Sequence, residues 1–214
     1  MRLYIFLFLG LTTVTYGQDS ARFTQEVAAL KAKYDTIWDS NRPSIVFTGS
    51  SSVRMWHDLK QRFPEHQIVN TGFGGSQASD LLAYSNELIL TYNPTKVFIY
   101  EGDNDVAAQK RPKAILSTMQ EIIQKVKNRD NTTQIVLISP KPSLARWNLR
   151  RQYKKLNRKL KRFGKKEEGI YFADVWNPML NGRKVKTDIF LEDGLHMNTK
   201  GYDIWYKVLG QHME

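Results

Sequence analysis

The chain has 214 residues, a formal net charge of +11 and no cysteine. That length suits one sizeable domain, and the missing cysteines exclude a disulfide framework, a thiolate nucleophile and a cysteine-based zinc site. Hydrophobic residues make up 41% and charged residues 25%, ordinary for a globular protein, while the basic balance fits weak contact with a polyanion.

The chain opens on Arg2 and the apolar run 3–11, which is too short to span a bilayer as a helix. Thr15-Tyr16-Gly17 follows. Residues 1–17 read as a signal peptide cut before Gln18, leaving residues 18–214 as one exported domain. A retained anchor or a buried helix fits less well, because polar Gln18-Asp19-Ser20 comes at once, and without cysteine no lipid can be attached there. An exported protein meets acidic glycans or a lipid surface rather than nucleic acid.

Phe23, Val27, Leu30, Tyr34 and Ile37 recur at helical spacing, and Pro43 lies beyond them. Ile45-Val46-Phe47-Thr48-Gly49 then reads as a buried strand that ends in a bend, with Ser50, Ser51 and Ser52 after it. A helix is predicted over 53–63, stopped by Pro64. Ile68-Val69-Asn70 is a second strand running into the glycine loop Gly72-Phe73-Gly74-Gly75, followed by a helix over 79–90. Residues 96–100 form a third strand, opening into the acidic turn Gly102-Asp103-Asn104-Asp105. A helix over 112–127, a strand over 134–139, a helix over 147–163, a strand over 170–173 and a last helix over 200–209 complete the pattern. Five strands alternating with helices predict a parallel sheet covered on both faces.

In such a sheet the loops after the first three strands converge at one edge. A serine hydroxyl there needs a base to take its proton. His196 is the candidate base, with Asp193 three residues earlier to orient its ring. An oxyanion needs donors already in place. Gly75 exposes a bare backbone N–H, Asn104 offers a side-chain amide and the Ser51 backbone N–H is a third donor. Taken singly these residues have plainer readings: a helix cap for Ser52, a tight turn for the glycines, a loop acceptor for Asp105, core packing for Trp56, Trp147, Trp176 and Trp205, and a solvated face for the basic helix from Arg150 to Lys166. His57, His66 and His212 have no carboxylate partner at short spacing.

Taken together, Gly49-Ser50-Ser51, the glycine loop, Gly102-Asp103-Asn104-Asp105 and Asp193-x-x-His196 resemble the four blocks of the SGNH hydrolases, or GDSL esterases/lipases, in the same order. The resemblance implies a flavodoxin-like three-layer α/β/α sandwich around a five-stranded parallel sheet. It also implies ester or thioester hydrolysis without metal or cofactor. Ser51 would be the nucleophile, Asp193 and His196 its triad partners, and Gly75, Asn104 and the Ser51 N–H the oxyanion hole. The family's Gly-Asp-Ser is Gly-Ser-Ser here, with Ser50 in place of the aspartate. The expected activity is that of an exported serine esterase on short acyl esters, O-acetyl glycans among them. A lysophospholipase or thioesterase for longer chains and a non-catalytic glycan-binding protein on the same fold are the alternatives.

Overall fold

Five parallel strands run in the order β2-β1-β3-β4-β5, with β1 spanning Ser44–Gly49, β2 Gln67–Gly72, β3 Lys96–Tyr100, β4 Gln134–Ile138 and β5 Ile170–Ala173. This computed structural model describes residues 19–214, so the expected signal peptide lies outside the described residues. From β1 the chain steps outward to β2 and then crosses back to β3, which pairs on the other side of β1. The order reverses between β1 and β3, and it is outside the carboxyl ends of the strands at such a switch point that open α/β sheets bind ligands. Gly49, Gly72 and Tyr100 stand level there.

Alternate side chains of each strand enter opposite layers. Val46, Val97, Ile99 and Ile135 face a core shared with α1 (Thr24–Asp35), α4 (Ala78–Ala83), α5 (Ser85–Leu88), α7 (Pro112–Arg129) and α8 (Arg150–Gly164). Ile45, Phe47, Phe98 and Val136 face a second core shared with α2 (Ser51–Arg54), α3 (Leu59–Arg62) and α9 (Thr199–Leu209). The result is the expected flavodoxin-like three-layer sandwich.

Two helices are shorter than their apolar spacing predicts. The segment 53–63 divides into α2 and α3, because Trp56 between them turns inward to lie 5.4 Å from the Tyr202 ring and 5.9 Å from Trp205. The segment 79–90 divides at Tyr84, whose hydroxyl is drawn to the Ser20 carbonyl at 3.0 Å. Ile37 falls beyond the end of α1 and is exposed, not part of its packed face. The helix after β1 begins at Ser51, so its N-cap position is Ser50 rather than the expected Ser52. A ribbon of β6 (Leu180–Asn181) and β7 (Lys184–Val185) is too short to leave a periodic trace. Among the described residues no helix is long and apolar enough to cross a membrane.

Candidate active site

The bend after β1 depends on Gly49. Its φ is +120°, and a Cβ would sit 2.0 Å from the Tyr100 carbonyl oxygen, a collision with backbone that cannot yield. That close approach lets the Ser50 N–H bond the same carbonyl at 3.0 Å. Ser51 therefore begins α2 at the switch point, while Ser50 and Ser52 are buried beside it.

From the far end of the chain, Asp193 and His196 fold over this edge. An isolated antiparallel bridge between Phe190 and Met197 closes the turn that carries them. Asp193 Oδ1 accepts the backbone N–H groups of Leu195 and His196, both at 2.9 Å, and Oδ2 lies 2.5 Å from His196 Nδ1. With the carboxylate accepting the Nδ1 proton, Nε2 is left to accept, and the Ser51 hydroxyl lies 3.0 Å from it. Burial opposes the charge on Asp193, but the Leu195 N–H, the His196 ring and the His196 N–H outweigh it and hold the carboxyl at about 2. It is thus an anion at neutral pH.

The glycine loop and Asn104 also meet. Gly75 adopts φ +72°, with open space where a Cβ would be, while its carbonyl accepts from Arg22 Nη2 at 3.3 Å. Asn104, on α6 (Asp103–Ala107), donates one Nδ2 hydrogen to the Ser76 carbonyl at 2.8 Å. Its Oδ1 accepts from Arg146 Nη1 and Nη2, each at 3.1 Å. The amide plane is fixed from both sides, and a second Nδ2 hydrogen is left over.

Sequence reasoning missed what links the two groups. Asp103 is buried, and its carboxylate accepts from Arg146 at 2.6 Å, Tyr153 at 2.5 Å and Tyr100 at 2.8 Å. Lys141 Nζ stands 3.5 Å from it and donates to the Leu195 carbonyl at 2.7 Å, next to His196. Burial opposes the Asp103 charge, yet the Lys141 and Arg146 cations and the two tyrosine hydroxyls bring its carboxyl down to about 2. Burial likewise pulls Lys141 down, and Asp103 pulls it back. The available signal was slight: Lys141 stands between two prolines directly after a strand. Asp105, read as a loop acceptor, takes the Ala78 N–H at 3.0 Å. Trp56, Trp176 and Trp205 are buried as expected of core residues, Trp147 is half-buried against them, and His66, expected to lack a carboxylate, lies 3.4 Å from its neighbour Glu65. No group of three or more metal-ligating side chains occurs among the described residues.

A hydroxyl with a base and an oriented carboxylate behind it, beside preset N–H donors, is an arrangement that can carry acyl transfer.

The profile of the GDSL-like lipase/acylhydrolase family matches residues 38–204, which include all five residues singled out from the sequence. No curated protein matches the chain. Among solved structures, a Streptococcus pneumonia protein proposed to be a platelet activating factor superposes with a TM-score of 0.78 at 22% identity, over 91% of this chain and 95% of the other. A GDSL-like lipase from Bacteroides thetaiotaomicron gives 0.73 at 21% identity, over 91% and 96%. An acetylxylan esterase from Geobacillus stearothermophilus gives 0.64 at 17% identity, over 79% and 93%. At these identities the superpositions speak for the fold, and the profile speaks for the family. Matched over most of its length, the chain belongs to the GDSL-like lipase/acylhydrolase family and is a carboxylic ester hydrolase.

Proposed function

We propose that the chain hydrolyses short-chain acyl esters through an acyl-enzyme on Ser51. The observation that carries this is the unbroken line from Ser51 Oγ through His196, at 3.0 Å, to Asp193, at 2.5 Å. His196 takes the Ser51 proton as Oγ attacks the ester carbonyl, and Asp193 stabilises the imidazolium. The tetrahedral oxyanion takes hydrogen bonds from the Ser51 and Gly75 N–H groups and from the free Nδ2 hydrogen of Asn104. His196 returns its proton to the leaving alcohol. Water, activated by the same ring, then releases the acid.

O-acetyl groups on polysaccharide are the proposed natural esters. The name of the Geobacillus neighbour, an acetylxylan esterase, supports this, as does the export expected from residues 1–17. A second reading, a longer acyl chain, draws on Leu144 and Leu191, both exposed near the Asp193 turn, where a Cβ on Gly194 would come within 3.1 Å of Leu144. A chain-length series of p-nitrophenyl esters separates the two: acetate preferred for the first, octanoate or longer for the second. The nucleophile is tested by fluorophosphonate labelling of the wild type and of Ser50→Ala, Ser51→Ala and Ser52→Ala. Labelling should vanish only in Ser51→Ala. Persistence there would move the assignment to Ser50 or Ser52, and no labelling of the wild type would favour the non-catalytic glycan-binding alternative.

A further inference from the structure

Helix α8 divides cleanly by face. Tyr153, Leu156 and Leu160 are buried against the sheet. On the outer side Arg151, Lys154, Lys155, Arg158 and Lys161 fall at i, i+3, i+4, i+7 and i+10, which is one stripe of a helix. None of these five forms an ion pair with a carboxylate among the described residues. The stripe borders a groove of about 440 Å³, whose other wall is β5 and the loop after it. One carboxylate lines the groove, Asp174, and it is engaged by its own turn: it accepts the Trp176 and Asn177 N–H groups at 3.1 and 3.2 Å and the Asn177 side-chain amide at 2.6 Å. The groove is therefore strongly positive, and like charges held this close are relieved by an anion.

Two polar atoms on lining residues are also orphaned. Asn157 is 9% exposed, and its Nδ2 donates to the Pro140 carbonyl at 3.0 Å while its Oδ1 has no partner. Trp176 is 4% exposed, and its Nε1 has no partner. An acceptor and a donor without partners are costly when buried. Both atoms lie beneath the groove surface, closed off from solvent. The Trp176 ring stacks on Trp147 at 6.0 Å and 18°, and Trp147 follows Arg146, the residue that holds Asn104. The groove thus lies beside the loop that braces the catalytic edge.

We infer that this groove is a binding site for an acidic polysaccharide, its carboxylates on the α8 stripe. The site would anchor a polymer whose esters reach Ser51. That purpose rests on the proposed function, but the binding itself does not.

The test uses the full chain and the triple variant Lys154→Ser/Lys155→Ser/Arg158→Ser, whose changes lie on an exposed face. Fluorescent polygalacturonate is titrated at low and high salt, with dextran as the neutral control and with duplex DNA and phosphatidylglycerol vesicles as competing polyanions. The expected results are salt-sensitive binding to polygalacturonate, none to dextran, and affinity weakened about tenfold or more in the variant. Turnover of p-nitrophenyl acetate should be unchanged. Undiminished binding by the variant would overturn the inference. So would tighter binding to DNA or to vesicles than to polygalacturonate. Ser51→Ala should bind like the wild type, so a wrong nucleophile and a wrong groove give different failures.

Discussion

Asp103→Asn is the sharpest single perturbation. It keeps the shape of the side chain and removes the charge that faces two cations. Lys141 has a side chain 0% exposed and Arg146 one 21% exposed, so neither loss is made good by solvent. Breaking a buried ion pair from one side costs about 3–5 kcal/mol, because the remaining charge stays buried. At 2–4 °C per kcal/mol for a chain of this size, Tm should fall by roughly 6–20 °C. The pH dependence gives a second reading. The carboxyl sits at about 2 in the folded protein against an ordinary 3.8, which corresponds to about 2 kcal/mol. A depressed pKa gives stability that is present above 3.8 and lost as pH falls toward 2. Urea unfolding of both proteins from pH 7 to pH 2 should show a large gap that narrows in that window. Adding Lys141→Met to the variant should recover part of the loss, because the orphaned cation is removed. A loss below about 1 kcal/mol at neutral pH, where exposed pairs fall, or a gap constant down to pH 2, would refute the reasoning.

Two further expectations concern the same edge. Asn104→Ala should lower kcat on p-nitrophenyl acetate by about 10²–10³-fold with KM little changed, the usual cost of one oxyanion donor. An unchanged rate would remove Asn104 from the oxyanion hole. Glu101 is wholly enclosed, and burial, then the nearby Asp105, pushes its carboxyl well above the usual range. A raised carboxyl pKa gives stability that is full below the unfolded value and lost as pH rises. Glu101→Gln should therefore lose less stability between pH 5 and pH 8 than the wild type, as read from urea midpoints, and parallel losses would show that Glu101 is already charged at pH 5.

The elements that position the site were legible because their signals are local. The run before Gly49 is apolar and buried throughout, and only a glycine satisfies the bend that follows. Asp193 and His196 were legible as a pair, since three residues and a glycine allow a turn in which one carboxylate reaches both the backbone and the ring. The helix breaks were not legible, because the apolar period continues through Trp56 and Tyr84 while tertiary contacts redirect the chain there. Lys141 was invisible for a related reason. A lysine in a proline-flanked loop is ordinarily solvated, and nothing within ten residues shows that Asp103 will draw it inside.

That hidden pair explains how a site assembled from four loops holds its geometry. His196 and Asn104 stand 92 positions apart in the sequence, and in the proposed reaction the base and the oxyanion donor must stand a fixed distance apart. Arg146 grips the Asn104 amide through Oδ1, and Lys141 grips the carbonyl before His196. Both cations rest on the same Asp103 carboxylate. One buried anion therefore sets His196 and Asn104 against a common reference. The loop after β4, which supplies both cations, acts as the brace between them. On this geometry Asp103, Lys141 and Arg146 are positioning residues, so their loss should lower turnover through misplacement of Asn104 and His196 while Ser51 stays chemically intact.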